Sequence, residues 1–130
     1  MTIYDSSALI AYLEGQPSAV GYVREHRRQR SLAPPLVLYE VYQGEVFKRG
    51  PAEFGAVDAA LSWLTIAEAT RTDARAAAEL QERLRRRGDP LAARDAYIAG
   101  AALARDETLV ATDTDFDVPG LRDQVDLALV

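Results

Sequence analysis

Cysteine is absent from this chain, and histidine, lysine, methionine and tryptophan occur once each. Without cysteine there is no disulfide framework and no thiolate metal site, which suits a reducing compartment. The one histidine, His26, lies in a basic run with no acid constellation around it, so a Ser–His–Asp arrangement lacks its base. No Walker-type loop or dinucleotide glycine fingerprint occurs either. No apolar run approaches the ~20 residues that cross a bilayer, and the opening MTIYDSS carries an acid where a signal peptide carries bases. The expectation is a soluble, cytoplasmic protein with no membrane association. At 130 residues, 48% of them hydrophobic, residues 1–130 are read as one domain with a substantial core.

Charge is present in both signs but unevenly placed. The formal net charge is −5, which argues against a general nucleic-acid coat, because nonspecific affinity comes mainly from neutralised phosphates. Lys48 is the only lysine among the basic residues, and the arginines cluster in REHRRQR (24–30) and RLRRRG (83–88). From Asp106 to Asp126 seven acids face one base, Arg122. Arginine binds phosphate through a planar fork of donors, so such clusters can hold a polyanion near an acidic centre; they can equally be solvated helix faces.

Periodicity and breakers divide the chain into alternating strands and helices. TIYD, SLA, LTIAEA, TLVAT and VDLALV read as strands. SALIAYLEG, capped by Ser6 or Ser7, SAVGYVREHRRQ, PPLVLYEVYQGEVFKRG from a first turn at Pro35 until Gly50 and Pro51 stop it, AEFGAVDAALSWL, TDARAAAELQERLRRRG and LAARDAYIAGAALARD read as helices. The last is rich in alanine and must pack closely. This alternation predicts an α/β fold, a three-layer α/β/α sandwich with a mainly parallel sheet, in which ligands sit beyond the carboxyl ends of the strands.

Four acids stand out against that frame. Asp5 directly follows TIY and Asp113 follows TLVAT, both at strand ends, while Glu40 within LVLYEVY and Asp95 within LAARDAYIAGAA sit in apolar helical surroundings. A lone buried carboxylate is costly unless paired, protonated or bound to metal. Ordinary roles exist for each: Asp5 can cap a helix, Glu40 can pair with an arginine, Asp95 can face Arg94 or Arg105, and Asp113, Asp115 and Asp117 can be turn residues. Together the four form an oxygen donor set suited to a hard divalent cation, Mg²⁺ or Mn²⁺.

The series IYDSSALIAYL, LYEVY, ARDAYIAGAAL and LVATDTDF, in that order from Ile3 to Phe116, resembles the PIN-domain family and within it the VapC-type toxins of bacterial toxin–antitoxin pairs. The resemblance implies a PIN-like nuclease domain in which Asp5, Glu40, Asp95 and Asp113 are the catalytic acids. Asp115 is then the additional acid of the last loop, Asp5 and Asp95 the direct metal ligands, and Ser6 the hydroxyl beside the first aspartate. The chain departs from the family at Ala111, where many members carry Ser or Thr two residues before the fourth acid.

The family implies a metal-dependent endoribonuclease. Arg24, Arg27 and Arg28 are then candidates for the RNA backbone. The implied partners are an RNA substrate, a VapB-like antitoxin covering the active site and a second copy in a homodimer. The antitoxin's apolar docking surface is sought in LIAYL and LVLYEVYQGEVF. Two rivals use the same residues: a catalytically inactive PIN-like interaction module, and a phosphatase of the haloacid-dehalogenase type built on the Asp-x-Asp of ATDTDFD.

Overall fold

The computed structural model describes residues 1–130. Five short strands, β1 (Thr2–Tyr4), β2 (Ser31–Ala33), β3 (Thr65–Ile66), β4 (Thr108–Ala111) and β5 (Leu127–Leu129), form one sheet in the order β3-β2-β1-β4-β5. Every pairing is parallel, with Thr2 beside both Ser31 and Thr108. Parallel strands require crossover helices, and right-handed crossovers on either side of β1 put those helices on opposite faces. One face carries α1 (Ser6–Leu13), α2 (Pro17–His26), α3 (Pro35–Phe47) and α4 (Phe54–Ala60); the other carries α5 (Arg71–Arg86), α6 (Ala93–Arg105) and the one-turn α7 (Pro119–Arg122). The three-layer expectation therefore holds. No helix is long and apolar enough to cross a membrane.

The central strands are buried on both faces, which is why TIY and LVA carry no alternation. Ile3, Leu32, Leu109 and Val110 lie in the core beside Leu9 and Val37 from one helical layer and Leu80 and Ile98 from the other. The close packing expected of the alanine-rich helix is found at its seam with α5. A Cβ on Gly100 would lie 2.4 Å from the Cα of Ala77, so only glycine allows this approach. The same two helices are tied at one end by Arg105 and Asp73, and α5 starts in a capping box between Thr70 and Asp73.

Several boundaries differ from expectation for local reasons. Of the caps open to the sequence for α1, Asp5 is the one found: its side chain accepts from the Ser7 amide, and Ser6 and Ser7, the other candidates, lie inside the helix. LTIAEA yields only the two exposed edge residues of β3, and AEFGAVDAALSWL yields a helix ending at Ala60. A short 3₁₀ helix, Thr114–Phe116, and α7 were not expected; single turns leave too few residues for a period to show.

Candidate active site

The parallel strands of the sheet all end at one edge, and the backbone joins two of those ends directly: the Asp5 amide donates to the Val110 carbonyl at 2.9 Å. Asp5 therefore sits where β1 stops and α1 starts, 1% exposed, a position that would cost several kcal/mol for an unpaired carboxylate. Its partners are local and distant. Oδ2 accepts from the Ser7 amide at 3.2 Å and the Ser7 hydroxyl at 2.7 Å, while Oδ1 accepts from Arg94 Nη2 at 3.0 Å.

Ser7 does more than support Asp5. Its Oγ also accepts from the amides of Thr112 and Asp113, at 3.0 and 3.3 Å. One hydroxyl thus locks the end of β1 to the loop after β4 and holds Asp5 and Asp113 in register. Ser6, the hydroxyl singled out in the sequence, instead accepts from Arg94 Nη2 at 2.7 Å.

Arg94 was missed as a site residue and lies at its centre. Each nitrogen of its guanidinium takes a different acid: Nε donates to Glu40 Oε2, Nη1 to Asp95 Oδ1 and Nη2 to Asp5 Oδ1. Three carboxylates from α3, the end of β1 and the first turn of α6 therefore converge on one positive group. Burial disfavours its charge, but the hydrogen bond to Glu40 and the charges of Asp5, Glu40 and Asp95 outweigh that and raise its pKa. For Asp95 burial is the largest influence and raises its pKa; Arg94 opposes this, while the neighbouring charges of Asp5 and Asp113 add to it.

Compensation is incomplete. With Asp113 the cluster carries four formal negative charges against the single charge of Arg94, and Glu40 Oε1 is buried with no hydrogen-bond partner. Spread around the guanidinium, no three acids are set about a common point as ligands of one ion. The donor set still fits a hard divalent cation in kind: it is all oxygen, it surrounds a single positive group and it retains excess negative charge.

The remaining predicted residues divide. Asp113 is half-buried and caps the 3₁₀ helix, accepting from the Asp115 amide at 2.9 Å. Asp115 is exposed, two residues beyond Asp113 in the loop and joined to it only through its own backbone amide. Asp117 turns to Arg122, 2.7 Å away, in a surface ion pair. Arg24, Arg27 and Arg28 are not brought to the acids. They end α2 just before Ser31 opens β2, and Arg30 O accepts from Thr2 N, so they occupy the amino edge of the sheet. In the second cluster Arg83 donates to Gln124, Arg86 pairs with Glu82 and Arg87 with Asp123. His26 stacks on Tyr22 with ring centroids 3.9 Å apart, away from the acids.

Helix α3 also has an outward face. LIAYL is largely buried or half-buried, but Tyr39 and Phe47 are 60% and 80% exposed. With Tyr42, Val46, Phe54 and Asp58 they line a groove of about 520 Å³ between α3 and α4. The helix that offers Glu40 to the acid cluster thus presents apolar surface to solvent.

No curated protein sequence matches the chain. Among solved structures, VapBC2 from Rickettsia felis, bound to a DNA fragment from its promoter, has a chain that superposes with a TM-score of 0.82 at 19% identity, covering 98% of this chain and 97% of that one. FitAcB from Neisseria gonorrhoeae gives 0.81 at 18% identity, with 98% and 96% covered. A member of the VapBC family of toxin–antitoxin systems from Mycobacterium tuberculosis gives 0.70 at 20% identity, with 99% and 96% covered. These likenesses establish the shared fold. The PIN-domain sequence profile matches residues 2–120, a span that contains every acid of the cluster, and the chain belongs to the PIN-domain family.

Proposed function

We propose that this protein is the toxin of a toxin–antitoxin pair and acts as a metal-dependent endoribonuclease in the cytoplasm. The observation that carries the reading is the convergence of Asp5, Glu40 and Asp95 on one cation, with Asp113 held beside them by Ser7. A surface ion pair needs one carboxylate; three around a single positive group, with charge left over, is the electrostatics of a cation site.

Asp5 and Asp95 would hold the ion, with Glu40 and Asp113 completing the shell directly or through water and Asp115 at its edge. When bound, Mg²⁺ or Mn²⁺ supplies positive charge against the scissile phosphate and activates water for its hydrolysis. Ser7 fixes the Asp5 carboxylate, so this ligand does not reorganise when the ion arrives. Glu40, whose Oε1 is unpartnered, or Asp113 would orient the attacking water. The whole chain, residues 1–130, would be the nuclease domain.

The partner is read from the outer face of α3. A VapB-like antitoxin laying apolar side chains into the groove of Tyr39, Val46, Phe47 and Phe54 would sit over the helix that carries Glu40. The similar structures include VapBC complexes of other organisms, which supports such a partner, and a homodimer is the expected assembly. Arg24, Arg27 and Arg28 can contact only RNA that extends past the sheet to its amino edge.

Incubating the purified protein with a mixed cellular RNA pool, with Mg²⁺ or Mn²⁺ against a chelator, and sequencing the ends tests this reading. Discrete cleavage sites that vanish with the chelator are expected. Arg94, lying amid the acids, favours one alternative, a catalytically inactive PIN-like module; RNA left intact at all metal concentrations would establish it.

A further inference from the structure

Arg94 is in an unfavourable place for a cation by every measure but one. It occupies the first turn of α6, where the helix dipole favours anions, and burial works against its charge. No backbone carbonyl accepts from it; its four acceptors are Glu40, Asp95, Asp5 and Ser6 Oγ. Only the acids hold it. Its side chain nevertheless remains 32% exposed, against 1% for Asp5, 10% for Asp95 and 23% for Glu40, so of these side chains it is the one that already meets solvent most.

We propose that Arg94 is a built-in counter-ion, resting among Asp5, Glu40 and Asp95 in the metal-free protein and competing with the divalent cation for the same carboxylates. The proposal rests on the reading of these acids as a metal centre. The three carboxylates repel one another, and without a positive group one or more would protonate or the ends of β1, α3 and α6 would separate. The guanidinium prevents this by giving each acid its own nitrogen. Since the same oxygens cannot serve both cations, the ion enters only as Arg94 swings to the rim. The resident arginine therefore sets a threshold: metal binds with the affinity of the open site multiplied by the fraction of molecules in which Arg94 is out.

The test compares the full chain with Arg94→Gln and Arg94→Lys, using Mn²⁺ titration calorimetry and thermal melting with chelator or Mn²⁺. Arg94→Gln is expected to melt lower in chelator, to bind Mn²⁺ roughly tenfold more tightly or better, as when the resident cation fills about nine-tenths of the sites, and to regain its melting temperature once Mn²⁺ is added. Arg94→Lys, which keeps the charge but not the fork, should fall between. In the wild-type protein, the Arg94 Nε–H resonance should leave its hydrogen-bonded position along the Mg²⁺ binding curve. If wild type binds Mn²⁺ and Arg94→Gln binds it equally or more weakly, the proposal fails while the metal centre stands. If neither binds, both fail. Should Arg94→Gln not fold, Mg²⁺ binding to wild type with the Arg94 resonance unmoved would overturn the proposal alone.

Discussion

Arg94 and Arg105 sit at opposite ends of α6, each against buried carboxylates, and the two ends are built on different arithmetic. At the carboxyl-terminal end Arg105 meets Asp73 with two nitrogens, at 2.5 and 3.1 Å, and gives its other bonds to the carbonyls of Ala101 and Glu68. Asp73 in turn closes the capping box of α5. Arg105 and Asp73 answer each other one charge for one, and the cation sits where the helix dipole favours it. At the amino-terminal end one arginine faces three acids with a fourth nearby, a buried oxygen goes unpartnered, and the cation sits against the dipole. A structural ion pair is saturated. The other end keeps a surplus of negative charge that costs stability unless something is to be bound there.

Exchanging carboxylate for amide at each end breaks the comparison most sharply. Asp5→Asn is expected to leave the fold intact and remove both metal binding and cleavage; loss of several kcal/mol of transition-state stabilisation lowers the rate on the order of a thousandfold. Asp73→Asn should do the reverse, destabilising the protein by about 3 kcal/mol because Arg105 loses its counter-charge in a partly buried site, while Mn²⁺ affinity of the folded protein is unchanged. Calorimetric metal titration and chemical denaturation of both variants read the cross.

Gly100→Ala tests what holds the two ends in register. The new Cβ meets the Ala77 backbone at 2.4 Å, so α5 and α6 must separate, at a cost of about 3 kcal/mol, the upper range for overpacking. Asp95 shifts with its helix, and Mn²⁺ affinity should fall along with stability. Denaturation midpoint and metal affinity changing together would show that the seam positions the site.

A gradient is expected within the loop after β4. Asp113→Asn should abolish cleavage at practical Mg²⁺ concentrations, Asp115→Asn should weaken it with partial rescue by more metal, and Asp117→Asn, which loses only the surface pair with Arg122, should be nearly silent. Metal titrations of cleavage for the three variants give the order.

The smallest effect belongs to a third kind of buried acid. Glu107 is 6% exposed and its Oε2 has no partner. Burial raises its pKa above 4.5, opposed by the N-terminus, Arg105 and Arg30. A raised folded-state pKa means that the proton is held more tightly in the fold, so this contribution is fully present below the unfolded value near 4.5 and is lost as pH rises through the folded value. Glu107→Gln should therefore raise the melting temperature slightly at pH 7 and flatten its pH dependence just above 4.5, as melting curves across pH 4–7 would show.

How much of this could be read in the sequence differs between acids and their partners. Asp5 and Asp113 announced themselves because an acid directly after an apolar strand marks the ligand-binding edge of a parallel sheet, and Glu40 and Asp95 because an acid in an apolar helical face needs a reason. The sheet followed from the alternation of strand and helix. That Asp95 faces Arg94 and that Glu40 pairs with an arginine were both open to a reading of the sequence and are found. That one guanidinium also takes Asp5, and that Ser7 ties β1 to the loop after β4, were not, because those contacts lie 89 and 105 positions apart and nothing in RDAY or DSSA shows those distances. The basic run at 24–30 looked like a companion of the acids by charge alone, yet a helix that leads into β2 must end at the opposite edge. β3 and α7 are too short to leave a period.

A crystal of the protein soaked in Mn²⁺, with anomalous scattering recorded at the manganese edge, tests a cation site among Asp5, Glu40 and Asp95 most directly. A single strong peak between the Asp5 and Asp95 carboxylates, with the Arg94 guanidinium moved to the rim, is the expected result. Manganese bound elsewhere, or no peak at saturating metal with Arg94 still joined to all three acids, would contradict it.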